Sequence, residues 1–171
     1  MKKIKVGILH PPETASKVNA ESILSVTSKV VSFYRPVFKF EDRTVYDVVV
    51  PTHDGVYYTR FAECPLYQAV SPIVRRLFPY SLVVLFTDVR IFRLNDDKEM
   101  GGLASPDRNH VIVQYKDGKS RLNIKLIHEF GHIVGLPDCF SDEDCVMDPY
   151  HGNKLKFCPE HDKLLKELLA G

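Results

Sequence analysis

Residues 128–138 read His128-Glu129-Phe130-Gly131-His132-Ile133-Val134-Gly135-Leu136-Pro137-Asp138. On a helix, positions four apart lie one above the other on the same face. His128 and His132 can therefore converge on one metal ion, and imidazole pairs at this spacing suit zinc. Glu129 is offset by about 100° around the helix, so its longer side chain reaches a water on the metal rather than the metal itself. The two histidines then hold zinc, zinc acidifies the water, and Glu129 takes the proton. The motif alone also turns up on ordinary surface helices, so the flanking sequence has to decide between the two.

Ser120 and Asn123 are candidate N-caps for this helix. Gly135 suits a left-handed C-terminal turn and Pro137 forbids continuation. Upstream, Lys3 to Leu9 reads as a strand. Asn19 can cap a helix to about Phe33, with Ile23, Val26, Val30 and Tyr34 on one face. Val37 to Phe40 and Val45 to Val50 read as two strands around a charged turn, Glu41-Asp42-Arg43. Pro65 opens a second helix to about Leu77, interrupted by Pro72. Leu82 to Thr87 is an unbroken apolar, β-branched run, as in a buried central strand. Gly101 to Pro106 reads as a short edge strand closed by proline, and His110 to Tyr115 as another strand. After Pro137 the chain is loop-like to Phe157, and a last helix runs from Pro159 to Ala170, with Pro159 at a tolerated first-turn position.

The 171 residues suffice for one domain with a substantial core. A net charge of +1 gives no long-range pull toward nucleic acid or an anionic membrane. The apolar run after the N-terminal lysines spans only Val6 to Leu9 and includes Gly7, whereas a secretory segment needs about 7–15 apolar residues. With no stretch approaching a membrane span, the expected compartment is the cytoplasm.

Four cysteines, Cys64, Cys139, Cys145 and Cys158, would stay reduced there. Three of them cluster near His161. Cys139, Cys145, Cys158 and His161 make a closed, tetrahedral donor set for a structural zinc that would pin the loop after the active-site helix to the last helix. Buried or reactive thiols are the plainer alternative. Cys64 stands apart as an ordinary thiol, and His10, His53 and His110 as strand-end or surface histidines.

The extension His128-Glu129-x-x-His132-x-x-Gly135-x-x-Asp138, followed by Met147 in Val146-Met147-Asp148-Pro149, resembles the metzincin metallopeptidases. With Cys139, Cys145 and the Cys158-x-x-His161 pair, it is similar to the archaemetzincins. Residues 128 to 161 carry the likeness tightly, and the order of elements upstream fits it more loosely. The resemblance implies Asp138 as third ligand of the catalytic zinc, where most metzincins have histidine, with His151 the rival for that place. Met147 would form a methionine turn, an apolar floor beneath the metal. Gly102, Leu103, Ala104 and Ser105 would form the edge strand that pairs antiparallel with an extended substrate. Tyr150 reads first as an aromatic packed on the loop, with a role at the metal or oxyanion as the alternative. His161 stands where the family has cysteine, and the segment from Met147 to Cys158 is short for the family.

The expected architecture is a single α/β (α+β) metzincin-like catalytic domain over 1–171, with a mixed twisted sheet and an antiparallel edge strand. Residues 1–135 would form an N-terminal subdomain with the active-site helix, and 136–171 a zinc-stapled C-terminal subdomain. The expected function is a monomeric peptidase or aminopeptidase with two zinc ions per chain, one catalytic and one structural, acting on a peptide or small protein. A zinc-binding scaffold without turnover is the alternative, and Glu129 argues against it because a purely structural site has no use for a base beside its metal.

Overall fold

The computed structural model describes residues 1–34, 37–52, 54–58, 63–115, 119–149 and 154–170. His53, Tyr150 and His151 lie outside them. The elements run β1 (Lys2–His10), α1 (Ala20–Phe33), β2 (Phe38–Val49), β3 (Val56–Tyr58), α2 (Pro65–Leu77), β4 (Ser81–Thr87), β5 (Ile91–Arg93), β6 (Lys98–Glu99), β7 (Gly102–Ala104), β8 (His110–Gln114), α3 (Lys119–Val134) and α4 (Pro159–Ala170).

The main sheet has the order β2-β1-β4-β8-β7. Its first four strands are parallel and β7 pairs antiparallel with β8. β4 is buried throughout because the sheet is covered on both faces. Leu82, Val84 and Phe86 face a core built with α1 and α3. Val83 and Leu85 face a second core built with Leu66, Val70 and Val74 of α2. None of the helices is long and apolar enough to cross a membrane, among the described residues.

The expected helix limits of α1 and α2 hold. Asn19 accepts a hydrogen bond from the Ser22 N–H at 2.8 Å, and α2 continues through Pro72. Two readings need correction. The two strands expected around Glu41-Asp42-Arg43 are one strand with a large bulge: Phe40 stands opposite Ile4 and Val45 opposite Val6. Asp42 fixes the bulge by accepting from Lys5 Nζ at 3.0 Å and from the Thr44 N–H at 2.8 Å. Ser120 and Asn123 fall inside α3 rather than capping it. His110 is a strand-end histidine, as expected, opening β8, and it is fully buried there. Its ring stacks on Tyr67 at 5.5 Å, and burial pushes its pKa down to about 4. A small sheet, β3-β5-β6, was not expected at all; strands of two or three residues carry no periodicity to read.

α1 and α3 are tied by one buried polar contact. Tyr34, at the end of α1, donates its hydroxyl to the Ile127 carbonyl at 2.7 Å, one residue before His128. Burial pushes that hydroxyl far above the ordinary tyrosine range, so it stays a donor. Its ring also packs on Phe38 and Phe130. Tyr34→Phe keeps the packing and loses the bond, which should cost about 0.5–1.5 kcal/mol. Urea unfolding should show a lower midpoint with an unchanged slope; an unmoved midpoint would show that the bond contributes nothing.

Candidate active site

α3 ends in a Schellman turn. The Leu136 N–H bonds to the Gly131 carbonyl at 2.9 Å and the Gly135 N–H to the His132 carbonyl at 3.1 Å. Gly135 has φ +108°, a conformation that a side chain would strain. The turn throws the chain back across the helix end. The Leu136 carbonyl thereby comes within 2.9 Å of His132 Nδ1, and the Val146 carbonyl within 3.0 Å of His128 Nδ1. A carbonyl only accepts, so each Nδ1 carries the proton and each Nε2 keeps its lone pair.

Those two Nε2 atoms are 3.0 Å apart. Asp138 Oδ1 stands 3.5 Å from the first and 3.4 Å from the second. A tetrahedral zinc with ligands at 2.0–2.1 Å sets them about 3.3 Å apart, so the three atoms fit it. Burial disfavours a charged His132, yet the Asp138 carboxylate and Glu129 outweigh it and lift the imidazole to about 9. His132 in turn holds Asp138 below the usual carboxylate range. In chemical terms, the triangle demands a positive charge at its centre, either a proton or a metal ion.

Glu129 stands outside the triangle. It is almost fully buried, and burial, partly offset by His128 and His132, pushes its carboxyl upward. The Ala104 N–H donates to it. A Cβ on Gly102 would come within 2.7 Å of Glu129 Oε1, so only glycine there lets the carboxyl lie against β7. Sequence spacing, which places Gly102 in the substrate edge strand, gives no sign of this requirement. Among the described residues, β7 pairs with β8 alone and lines one wall of a cleft of about 580 Å³ that contains Glu129, His128, His132 and Asp138.

Met147 is fully buried against α3. A Cβ on Gly131 would meet its sulfur at 2.4 Å. The mid-helix glycine of the motif therefore makes room for the methionine, a coupling that sequence spacing does not display.

The second cluster is also assembled. All four cysteines are free thiols. Cys139, Cys145, Cys158 and His161 are buried and offer donor atoms within 4.8 Å of one another. Cys139 Sγ lies 3.9 Å from Cys158 Sγ, and Cys158 Sγ 3.2 Å from His161 Nδ1. His161 Nε2 is 3.1 Å from the Pro137 carbonyl, to which it donates, leaving the Nδ1 lone pair for the cluster. Burial pushes the Cys145 thiol up to about 12, so a thiolate there needs a cation beside it. The Cys139 N–H also donates to the Met147 carbonyl at 2.8 Å. Asp138 is thus gripped on both sides, through Pro137 and through Cys139.

No protein-family model and no curated protein matches this chain. Solved structures do. Archaemetzincin from Methanopyrus kandleri superposes with a TM-score of 0.64 at 19% identity, covering 99% of this chain and 96% of that one. A zinc-dependent peptidase from Methanocorpusculum labreanum (strain Z) gives 0.62 at 17% identity, over 94% of this chain and 100% of that one. Metalloproteinase-II from Bacteroides fragilis gives 0.52 at 14% identity, over 96% of this chain and 53% of that one. The chain has the archaemetzincin fold, and the fold neighbours include zinc-dependent peptidases.

Two outcomes follow from this geometry. At pH 7 the metal-free triangle carries a proton on His132, whose folded pKa is about 9. Zinc must displace it, so filling this site, with the cysteine cluster already loaded, should release at least about one proton per ion at pH 7. Calorimetry in buffers of different ionisation enthalpy measures this, and proton release that is absent at pH 7 contradicts the charge assignment. Separately, Gly131→Ala should destabilise by about 1–3 kcal/mol, although alanine favours a helix by about 1 kcal/mol. Met147→Ala should cost less in the Gly131→Ala background than in the parent, the non-additivity that a shared contact produces. A single variant as stable as the parent would mean that the methionine moves aside freely.

Proposed function

We propose that this protein is a zinc-dependent metallopeptidase of the archaemetzincin type, with Glu129 as general base. The observation that carries the reading is the pairing of an electron-rich His128/His132/Asp138 triangle with a buried carboxyl that shares its cleft and feels the charge of its histidines but does not belong to it. A structural metal site has no use for such a group.

When bound, zinc supplies Lewis acidity, lowering the pKa of a coordinated water to about 7 and polarising a peptide carbonyl. The remaining work falls to the chain. His128 and His132 are held in one tautomer and one orientation by the Val146 and Leu136 carbonyls. Glu129 Oε accepts a proton from the attacking water and delivers it to the departing amine. Burial keeps its affinity for that proton above an ordinary glutamate's, which brings it closer to the pH at which a base works best. The Ala104 N–H steadies the carboxylate, and the bare Gly102 lets it stay beside the edge strand. An extended peptide adds to β7 along Gly102 to Ser105, using main-chain groups and so tolerating many sequences. Cys139, Cys145, Cys158 and His161 hold a second, structural zinc. In this reading 1–135 carry the sheet and active-site helix, and 136–171 the third ligand, the Met147 turn and the staple.

Glu129→Gln separates catalysis from metal binding. The variant should retain two zinc ions per chain by elemental analysis and lose roughly 10²–10⁴ in hydrolysis of a mixed peptide library. Near-normal turnover removes Glu129 from the mechanism. A wild-type protein that holds both ions and cleaves nothing makes the chain a zinc-binding scaffold instead.

A further inference from the structure

We infer that the cleft selects peptides bearing a carboxylate on the leaving-group side of the scissile bond, and that Lys125 and Arg121 recognise it. This rests on the peptidase reading above. The chain is nearly neutral, with 23 basic against 22 acidic residues, yet Arg93, Arg108, Arg121 and Lys125 all line the cleft. Its acidic residues are Glu129, Asp138 and Asp148. The first two belong to the metal's surroundings, where a divalent cation offsets them, and Asp148 is buried. The cleft that remains for substrate is cationic.

The four cations are not equivalent. Arg93 stands at the end of β5 in the small sheet, away from the edge strand's sheet. Arg108 lies in the turn between β7 and β8, its guanidinium beside Gly135, at the far end of the edge strand. Arg121 and Lys125 share the helix face of Glu129, at successive intervals of four residues. Lys125 lies along the start of the edge strand: a Cβ on Gly101 would stand 2.7 Å from its Cε. Gly101 thus makes room for Lys125 as Gly102 does for Glu129.

Substrate polarity follows from antiparallel pairing. A peptide antiparallel to β7 runs from Ser105 toward Gly102, so the residues after the scissile bond pass Gly101 and Lys125. Helical rise places Lys125 about 6 Å and Arg121 about 12 Å before Glu129, or about two and four residues of extended peptide. A carboxylate at those places meets an ammonium first and then a guanidinium, whose planar fork accepts both oxygens. An Asp or Glu side chain supplies that group, and so does the free C-terminus of a short substrate.

Three labelled peptides of one core sequence test this: neutral with an amidated C-terminus, neutral with a free C-terminus, and acidic after the scissile bond with an amidated C-terminus. Affinity for zinc-loaded Glu129→Gln protein, read by fluorescence anisotropy, needs no turnover. One or both carboxylate peptides should bind about 3- to 10-fold tighter than the neutral amide, and the advantage should shrink at high salt. Which of the two gains tells side chain from terminus. Arg121→Glu/Lys125→Glu should invert the preference toward a lysine-bearing peptide, and Arg121→Gln/Lys125→Gln should only erase it. In wild-type protein kcat/KM should rank the peptides in the same order. Equal affinities, or a preference untouched by both double variants, overturn the inference. Hydrolysis of all three peptides at equal rates overturns it while leaving the peptidase reading standing; intact carboxylate preference with no hydrolysis defeats the peptidase reading instead.

Discussion

Two imidazole nitrogens and a carboxylate oxygen stay within 3.5 Å of one another only with a positive charge between them, a proton or a metal ion, and much of this structure serves to hold them there. The histidines cannot turn away because each ring is tethered at its other nitrogen to a carbonyl of the following loop. That loop stays close because Gly135 reverses the chain and Met147 seats itself on Gly131. α3 is held by the sheet and by Tyr34 of α1. That fixed demand for positive charge at the centre is what makes the site select a cation.

The sheet and the site sit on opposite sides of a division of labour. The parallel strands β2, β1, β4 and β8 form a scaffold whose two faces are both closed. The chemistry gathers at the one edge where the pattern changes, along antiparallel β7. Two adjacent glycines there admit Lys125 and Glu129 from α3 against the strand. Absent side chains thus shape the cleft as much as present ones.

Much of this was legible in the sequence, for a physical reason. The His128 to Asp138 segment and the cysteine cluster lie close together along the chain, so their spacing, read with the family resemblance, pointed to the donors that meet. β1, β4, α1 and α2 are long enough for apolar periodicity to define them. The failures have causes too. β3, β5 and β6 are too short to carry a period. The bulge in β2 looked like a turn because Glu41-Asp42-Arg43 is polar on any backbone. Asn123 looked like a cap because a polar residue near a helix start is ambiguous until the first turn is placed. Contacts between segments far apart in the chain, such as Gly102 with Glu129 or His161 with Pro137, leave no local trace.

His161 and the Met147 carbonyl hold Pro137 and Cys139, the two residues that flank Asp138. The third donor of the triangle is therefore placed by the neighbourhood of the thiol cluster rather than by α3. Any change that displaced His161 or the backbone at Cys139 would move Asp138 relative to the histidines while leaving His128, Glu129 and His132 chemically untouched.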